Sequence, residues 1–279
     1  MVEIFPSFQG EGLLVGVSQV FVRLGGCNLR CSYCDTPEAR GEAKACRVYG
    51  REEFLETVAN PLAAKDLAGK IASLWSHGMH SVSLTGGEPL LQVEGLADLL
   101  PLLRDGGMAI YLETNGTLPA ELEKIIPWVD WIAMDLKLPY SQEGKDFLDD
   151  HREFLRLASR RKVFLKVVVE EDTPEEELEK FCRGTAEVNR DVPLVLQPKS
   201  VLAEGGRLKT GSREGTGQAP RGEKKTGAGR RLQESGRDYR WGWRVGISPT
   251  RAGRLQAIAS AYFREVRVIP QLHRAWGMR

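Results

Sequence analysis

The segment VFVRLGGCNLRCSYCDT, Val20 to Thr36, decides the architecture. It opens on apolar and β-branched residues broken only by Arg23, the composition of a short buried strand, Gln19–Leu24. Two glycines end the strand, and Cys27, Cys31 and Cys34 follow within eight positions. A strand delivering reactive side chains just past its C-terminal end is the arrangement on which βα barrels build their chemistry.

The rest of the chain repeats that scheme. SVSLTGGEP (Ser81–Pro89), AIYLETNGT (Ala109–Thr117), WIAMDLKLP (Trp131–Pro139), VFLKVVVE (Val163–Glu170) and LVLQPKS (Leu194–Ser200) each run from an apolar strand into polar residues. VRVIPQ (Val266–Gln271) is a late, short strand. Between them, GREEFLETVA, VEGLADLLPLLRD and TPEEELEKFCRG have helical spacing. Strands rich in Val, Ile and Leu suit a parallel sheet covered by helices. The expected fold is α/β, a partial (βα)6-type barrel in a single domain of about six main strands. Cys27, Thr85, Gly86, Gly87, Glu88, Glu113, Asn115, Asp135, Lys137 and Gln197 all fall at or just past strand C-termini, which marks one shared rim as the active site.

Bulk properties exclude several classes. With 39 Lys+Arg against 38 Asp+Glu, the chain has no global charge to draw it to nucleic acid or a membrane surface. No apolar run reaches the roughly 18 residues of a spanning helix, and no secretory signal opens the chain. A cytoplasmic location is expected, where clustered cysteines read as metal ligands rather than disulfides. One asymmetry interrupts the balance. Ala203–Arg240 holds ten Lys/Arg, five Asp/Glu and nine glycines. Such a segment buries too little apolar surface to offset its ordering entropy. It reads as a disordered basic insertion at the surface, in preference to an arm for tRNA or another polyanion.

The cysteine spacing is C-x3-C-x2-C. Three thiolates can hold three irons of a [4Fe–4S] cube and leave the fourth iron open. The alternative is zinc with a histidine as fourth ligand, although none of His77, His80, His151 and His273 lies in the loop. Cys46 and Cys182 read as plain thiols.

C-x3-C-x2-C with Tyr33 before the last cysteine resembles the signature of the radical S-adenosylmethionine (SAM) superfamily. LTGGEPLL (Leu84–Leu91) resembles its glycine-rich SAM contact, and ETNGT a recurrent SAM-contact element. The resemblance implies that SAM chelates the open iron and is cleaved reductively to a 5′-deoxyadenosyl radical, which abstracts hydrogen from substrate. FPSFQGEGLLVG (Phe5–Gly16) and the ending VIPQLHRAWGMR narrow the resemblance to the 7-carboxy-7-deazaguanine synthase family. That family contracts 6-carboxy-5,6,7,8-tetrahydropterin to 7-carboxy-7-deazaguanine with loss of ammonia, using a [4Fe–4S] cluster, SAM and Mg2+, in queuosine and deazapurine biosynthesis.

Carried onto this chain, the resemblance implies cluster ligands Cys27, Cys31 and Cys34, and Thr36 as a Mg2+ ligand. It places Tyr33, Cys34, Asp35, Gly87, Glu113, Asn115, Asp135, Leu136, Lys137, Gln197, Pro198, Lys199 and Ser200 around SAM. Phe8, Gln9, Gly10, Glu11, Arg23, Thr85, His273 and the terminal Arg279 face the substrate. The chemistry of two of these suits the roles that the resemblance implies. A carboxylate at Glu11 suits the amidine-like edge of a pterin, and the planar fork of Arg23 suits its carboxylate. For Thr36 a helix N-cap before Pro37 is the competing role. The resemblance further implies an external electron donor of flavodoxin or ferredoxin type and a homodimer. Two other readings compete: a glycyl-radical-enzyme activase or other small radical SAM enzyme, and a zinc module binding nucleic acid through the basic insertion.

Overall fold

A computed structural model describes residues 1–51, 53–202 and 243–276. The expected insertion at Ala203–Arg240 and the expected contact at Arg279 lie outside the described residues. The strands are β1 (Glu3–Phe8), β2 (Ser18–Leu24), β3 (Ala45–Tyr49), β4 (Phe54–Ala59), β5 (Ser81–Gly86), β6 (Ile110–Thr114), β7 (Trp131–Asp135), β8 (Lys162–Val169), β9 (Leu194–Pro198), β10 (Ser200–Leu202), β11 (Trp243–Val245) and β12 (Val266–Val268). The helices are α1 (Ala64–Leu74), α2 (Val93–Asp105), α3 (Pro119–Ile125), α4 (Leu148–Ala158), α5 (Glu175–Asn189), α6 (Pro249–Ser260) and α7 (Leu272–Trp276).

Ten strands form one sheet in the order β12-β9-β8-β7-β6-β5-β2-β1-β3-β4. From β2 through β9 to β12 all neighbours are parallel. These include the six main strands expected from sequence. β1 returns antiparallel to β2, and the β3–β4 hairpin extends that edge.

Alternation along each parallel strand sorts the side chains into two faces. Val20, Val22, Leu84, Leu112, Ile132 and Leu165 belong to the main core, packed with the helices. The helices meet them with the expected period: α2 buries Val93, Leu96, Leu99, Leu100 and Leu103, and α5 buries Leu178, Phe181, Cys182 and Thr185. Each such side chain, once buried, contributes about 1.5–3 kcal/mol when it is as large as Leu or Phe.

The opposite face has two layers. Tyr111, Ala133, Phe164 and Val195 make a second, apolar cluster with Leu13 and Leu14 from the β1–β2 connection. Two residues further along the same strands stand Glu113, Asp135, Lys166 and Gln197, which line a cavity. The period of two therefore places a polar layer directly beyond an apolar floor. Gly12 makes the floor tight: its φ is +65°, and a Cβ there would come within 2.5 Å of the Phe164 ring.

The helix expected in GREEFLETVA is instead strand β4. β4 is an edge strand and is exposed along nearly its whole length. No face of it is buried, so it carries no alternation to betray a strand, and chance apolar spacing resembled a helix. β1 and β3 were likewise not among the expected strands. Among the described residues no helix is long and apolar enough to cross a membrane.

Candidate active site

The cysteine loop and the TGGEP turn interlock through backbone. Gly87 N–H donates to the Leu24 carbonyl at 3.1 Å and Glu88 N–H to the Gly26 carbonyl at 2.8 Å. A Cβ on Gly86 would lie 2.1 Å from the Leu24 oxygen, and one on Gly87 would lie 2.0 Å from the Gly26 oxygen. Only glycine permits that approach. The loop itself is pinned by Cys34 N–H to the Cys31 carbonyl, Ser32 N–H to the Ser141 carbonyl, and the Arg40 guanidinium on the Cys31 carbonyl at 2.8 Å.

A side-chain network extends this joint to the next strand end. Glu88 accepts from Leu90 N–H and the Thr114 hydroxyl on one oxygen, and from Asn115 N–H on the other. The Asn115 amide donates to Asn28 Oδ1 at 2.8 Å, and Asn28 donates to Thr117 at 2.9 Å. His151, buried and stacked edge-on to Phe181, donates to the Asn115 carbonyl at 3.0 Å. Burial raises the Glu88 carboxyl to about 7, despite its three donors. Burial also lowers His151 to about 4, so that ring is neutral.

The cavity has a volume of about 400 Å3, within the range of small-molecule sites. On one side it is lined by Tyr33, Asp135, Lys137, Gln197 and Lys199. Lys137 donates to Asp135 Oδ2 at 2.8 Å and sits 5.2 Å from the Tyr33 ring centroid. Burial opposes the Lys137 charge, but Asp135 holds its pKa well above the usual lysine value. Lys199 pairs with Glu170. Asp135 Oδ1 and Gln197 Oε1 are buried without a hydrogen-bond partner. Both belong to residues that line the cavity, and a buried acceptor of this kind is one that ordered water or a ligand donor satisfies.

The expected SAM contacts do not all reach this wall. Leu136 turns into the main core and is fully buried there. Pro198 and Ser200 do not line the cavity. Pro198 ends β9 beside Val169, and Ser200 begins the β10–β11 ribbon. Glu113 lines the cavity among residues expected on the substrate side: it accepts from Gln9 at 2.9 Å, Ser83 at 3.1 Å and Thr85 at 3.0 Å.

The other side of the cavity is made from both ends of the sequence. The Gly10 carbonyl accepts from Leu272 N–H at 2.9 Å, which seats α7 against the N-terminal loop. Glu11 accepts from Lys166 at 2.6 Å and from Gln271 at 2.7 Å. Burial would raise the Glu11 carboxyl, but Lys166, with His273 beyond it, brings it down to about 2. His273 stands 3.9 Å from Glu11 and 3.7 Å from Asp35. Arg274 binds the Asp35 carbonyl at 2.9 Å and its carboxylate at 3.1 Å. Phe8, Arg23 and Thr85 also line the cavity. Arg23 donates its Nε to Glu3 at 2.9 Å. It is therefore neither an exposed strand residue nor a lone cation.

The donor sets fit the expected groups. Among the described residues, the trio of ligand atoms gathered within 4.8 Å is that of Glu11, Asp35 and His273. Its carboxylates already pair with Lys166 and Arg274, which makes it a charge network rather than a metal centre. The three cysteine sulfurs are not gathered so closely, whereas one tetrahedral zinc would hold them about 3.8 Å apart. A cube that gives each thiolate its own iron spreads them further. All three are free thiols on the cavity wall. Cys46 and Cys182 are buried away from it. Thr36 lines the cavity and its side chain makes no capping bond, so its hydroxyl is open to a hard cation.

A family model described as the radical SAM superfamily matches residues 21–183. The 7-carboxy-7-deazaguanine synthase of Geobacter sulfurreducens is 39% identical over 99% of this chain and 96% of its own. The chain belongs to the 7-carboxy-7-deazaguanine synthase family. The family's enzyme from Methanopyrus kandleri is 37% identical over 70% of this chain and 79% of its own. In fold, the chain is similar to a radical SAM methyltransferase from Sphaerobacter thermophilus, at a TM-score of 0.53 and 15% identity over 91% of this chain and 66% of that one. For this 7-carboxy-7-deazaguanine synthase family member, sequence reasoning missed Asn28, Lys166, Gln271 and Arg274. Lys166 carried a signal: it is a lone charge inside the apolar strand VFLKVVVE, on the inward parity.

Proposed function

We infer that the chain catalyses the contraction of 6-carboxy-5,6,7,8-tetrahydropterin to 7-carboxy-7-deazaguanine with release of ammonia. The observation that carries this reading is a single cavity lined by Cys27, Cys31, Cys34, Glu11 and His273. Cys27, Cys31 and Cys34 would hold a [4Fe–4S] cluster, Asp135, Lys137 and Gln197 would face SAM, and Thr36 would ligate Mg2+. When bound, cluster and SAM supply the radical chemistry.

The chain's own residues bind, orient and exclude water. Glu11, ionised and buried, receives the two donors of the pterin's amidine-like edge. Gln9, held by Glu113, and Thr85 flank that ring. Arg23 has its Nε on Glu3, which aims the Nη groups of the fork at the substrate carboxylate. His273 faces the same space from α7. The apolar floor of Tyr111, Ala133, Phe164 and Val195 closes the cavity below and keeps bulk water from the reacting atoms. Walls drawn from Gln9–Glu11 and Gln271–Arg274 suit a small molecule better than the protein glycyl loop of an activase.

The electron comes from an external donor of flavodoxin or ferredoxin type. A homodimer is supported by the exposed edge strand β4 with Phe54 and Leu55 open to solvent. A cytoplasmic site is supported by five cysteines that are all free thiols. The test is anaerobic cluster reconstitution followed by incubation with carboxytetrahydropterin, SAM, Mg2+ and reductant. The expected product is 7-carboxy-7-deazaguanine. Its absence with an intact cluster defeats the reading.

A further inference from the structure

Lys166 is a buried cation standing between the two sides of the cavity. It points inward from β8, one step beyond Phe164 of the floor, and its register partner on β7 is Asp135. Its ammonium lies 2.6 Å from Glu11 Oε2 and 3.4 Å from Asp135 Oδ2, and the three side chains are 12%, 15% and 12% exposed. We propose that Lys166 is a positioning residue that holds Glu11 charged and aligns it with Asp135, joining the carboxylate that reads the pterin to the carboxylate that faces SAM. The proposal rests on the assignment of those two sides given above.

Among the described residues the cation in direct contact with Glu11 is Lys166, and the other side-chain donor to Glu11 is the neutral Gln271 amide. Facing Glu11 are Lys166 of β8, Asp35 of the cysteine loop, and Gln271 and His273 of the C-terminal segment. Facing Lys166 are Glu11, Asp135 of β7, Glu113 of β6 and Lys137. Without the ammonium, Glu11 has Asp35 as a like charge and His273 only at 3.9 Å. A buried carboxylate in that position takes up a proton. A protonated carboxyl cannot accept two parallel donors, so pterin binding weakens. Asp135 keeps Lys137 on Oδ2 at 2.8 Å and loses the second cation, Lys166, from the same oxygen.

The test uses cluster-loaded protein, anaerobic and without reductant, so that binding is read without turnover. Dissociation constants for carboxytetrahydropterin and SAM are measured for wild type, Lys166→Met and Lys166→Arg between about pH 6 and pH 8.5. Lys166→Met is expected to weaken pterin binding on the order of tenfold near pH 6, with a smaller deficit at high pH as Glu11 regains its charge. SAM binding weakens less, because Lys137 still pairs with Asp135, and Lys166→Arg restores most of both. Wild-type constants for Lys166→Met at every pH overturn the proposal. So does Lys166→Arg behaving like Lys166→Met in protein of normal Tm and iron content. If Lys166→Met does not fold, Glu11→Gln is compared with Glu11→Gln/Lys166→Gln. Equal pterin affinity is expected, and a further independent loss overturns the proposal. Failure of the wild type to make product sinks the assigned reaction; the binding comparison sinks Lys166 alone.

Discussion

Asn28 and Asn115 meet amide to amide at 2.8 Å, which ties the middle of the cysteine loop to the end of β6. Asn28→Ala removes that bond and the bond to Thr117, and leaves the buried Asn115 amide short of a partner. The expected cost is about 1–3 kcal/mol, because a buried unsatisfied donor loses its desolvation energy as well as its bond. Denaturant melts should show that loss. Iron retained per chain after gel filtration should fall, since the loop carrying the ligands is no longer fixed.

Glu88 and His151 act on the same residue, Asn115, and titrate in opposite senses. The Glu88 carboxyl, raised by burial to about 7, disfavours the ionised fold, so stability falls as pH rises from about 4.5 to 7. His151, lowered by burial to about 4, cannot take the proton that the unfolded chain takes, so stability falls as pH drops from 6.5 to 4. Each displacement amounts to about 3 kcal/mol at most. The two slopes oppose one another, and wild-type stability should be nearly level between about pH 4.5 and 6.5. Glu88→Gln should lose stability at baseline, since one amide oxygen cannot serve both backbone donors. It should also unmask a rise with pH across that window. A level profile in Glu88→Gln would contradict the assignment.

Gly10→Ala tests the seat of α7. A Cβ at Gly10 would lie 2.6 Å from both His273 Cβ and Nδ1. The helix must move, and the bond from Leu272 to the Gly10 carbonyl goes with it. The expected variant loads its cluster normally, raises the KM for pterin by about tenfold or more, and is cut faster by protease near the C-terminal segment. An unchanged KM would remove His273 from the substrate wall.

The β10–β11 ribbon pairs Leu202 with Trp243, so the chain leaves and returns at neighbouring points. Replacing residues 203–242 by a two-residue hairpin turn should keep product formation within about twofold, because loop closure there changes only slowly with length. Loss of activity in folded, cluster-loaded protein would assign that segment a part in the reaction.

The fold was legible where burial imposed a pattern. Strands such as WIAMD and LVLQP are buried on both faces and read as apolar runs, and α2 and α5 show their stripes. β4 was not legible because, at an exposed edge, nothing in its surroundings selects one parity. The cysteine loop and the TGGEP turn were legible because each is local. The partners of Glu11 were not. Lys166 and Gln271 lie 155 and 260 positions away, and only the rolled sheet brings them to one carboxylate. Leu136, Pro198 and Ser200 lie off the cavity lining for a related reason: motif position fixes the backbone, and strand parity decides which way the side chain turns.

The bond between Gly10 and Leu272 has a consequence for biosynthesis. A chain interrupted after β12 would still carry the three cysteines, the glycine turn and every parallel strand. It would lack the wall that α7 adds opposite Glu11. During translation the three cysteines and the glycine turn therefore emerge well before α7 can seat against the Gly10 carbonyl.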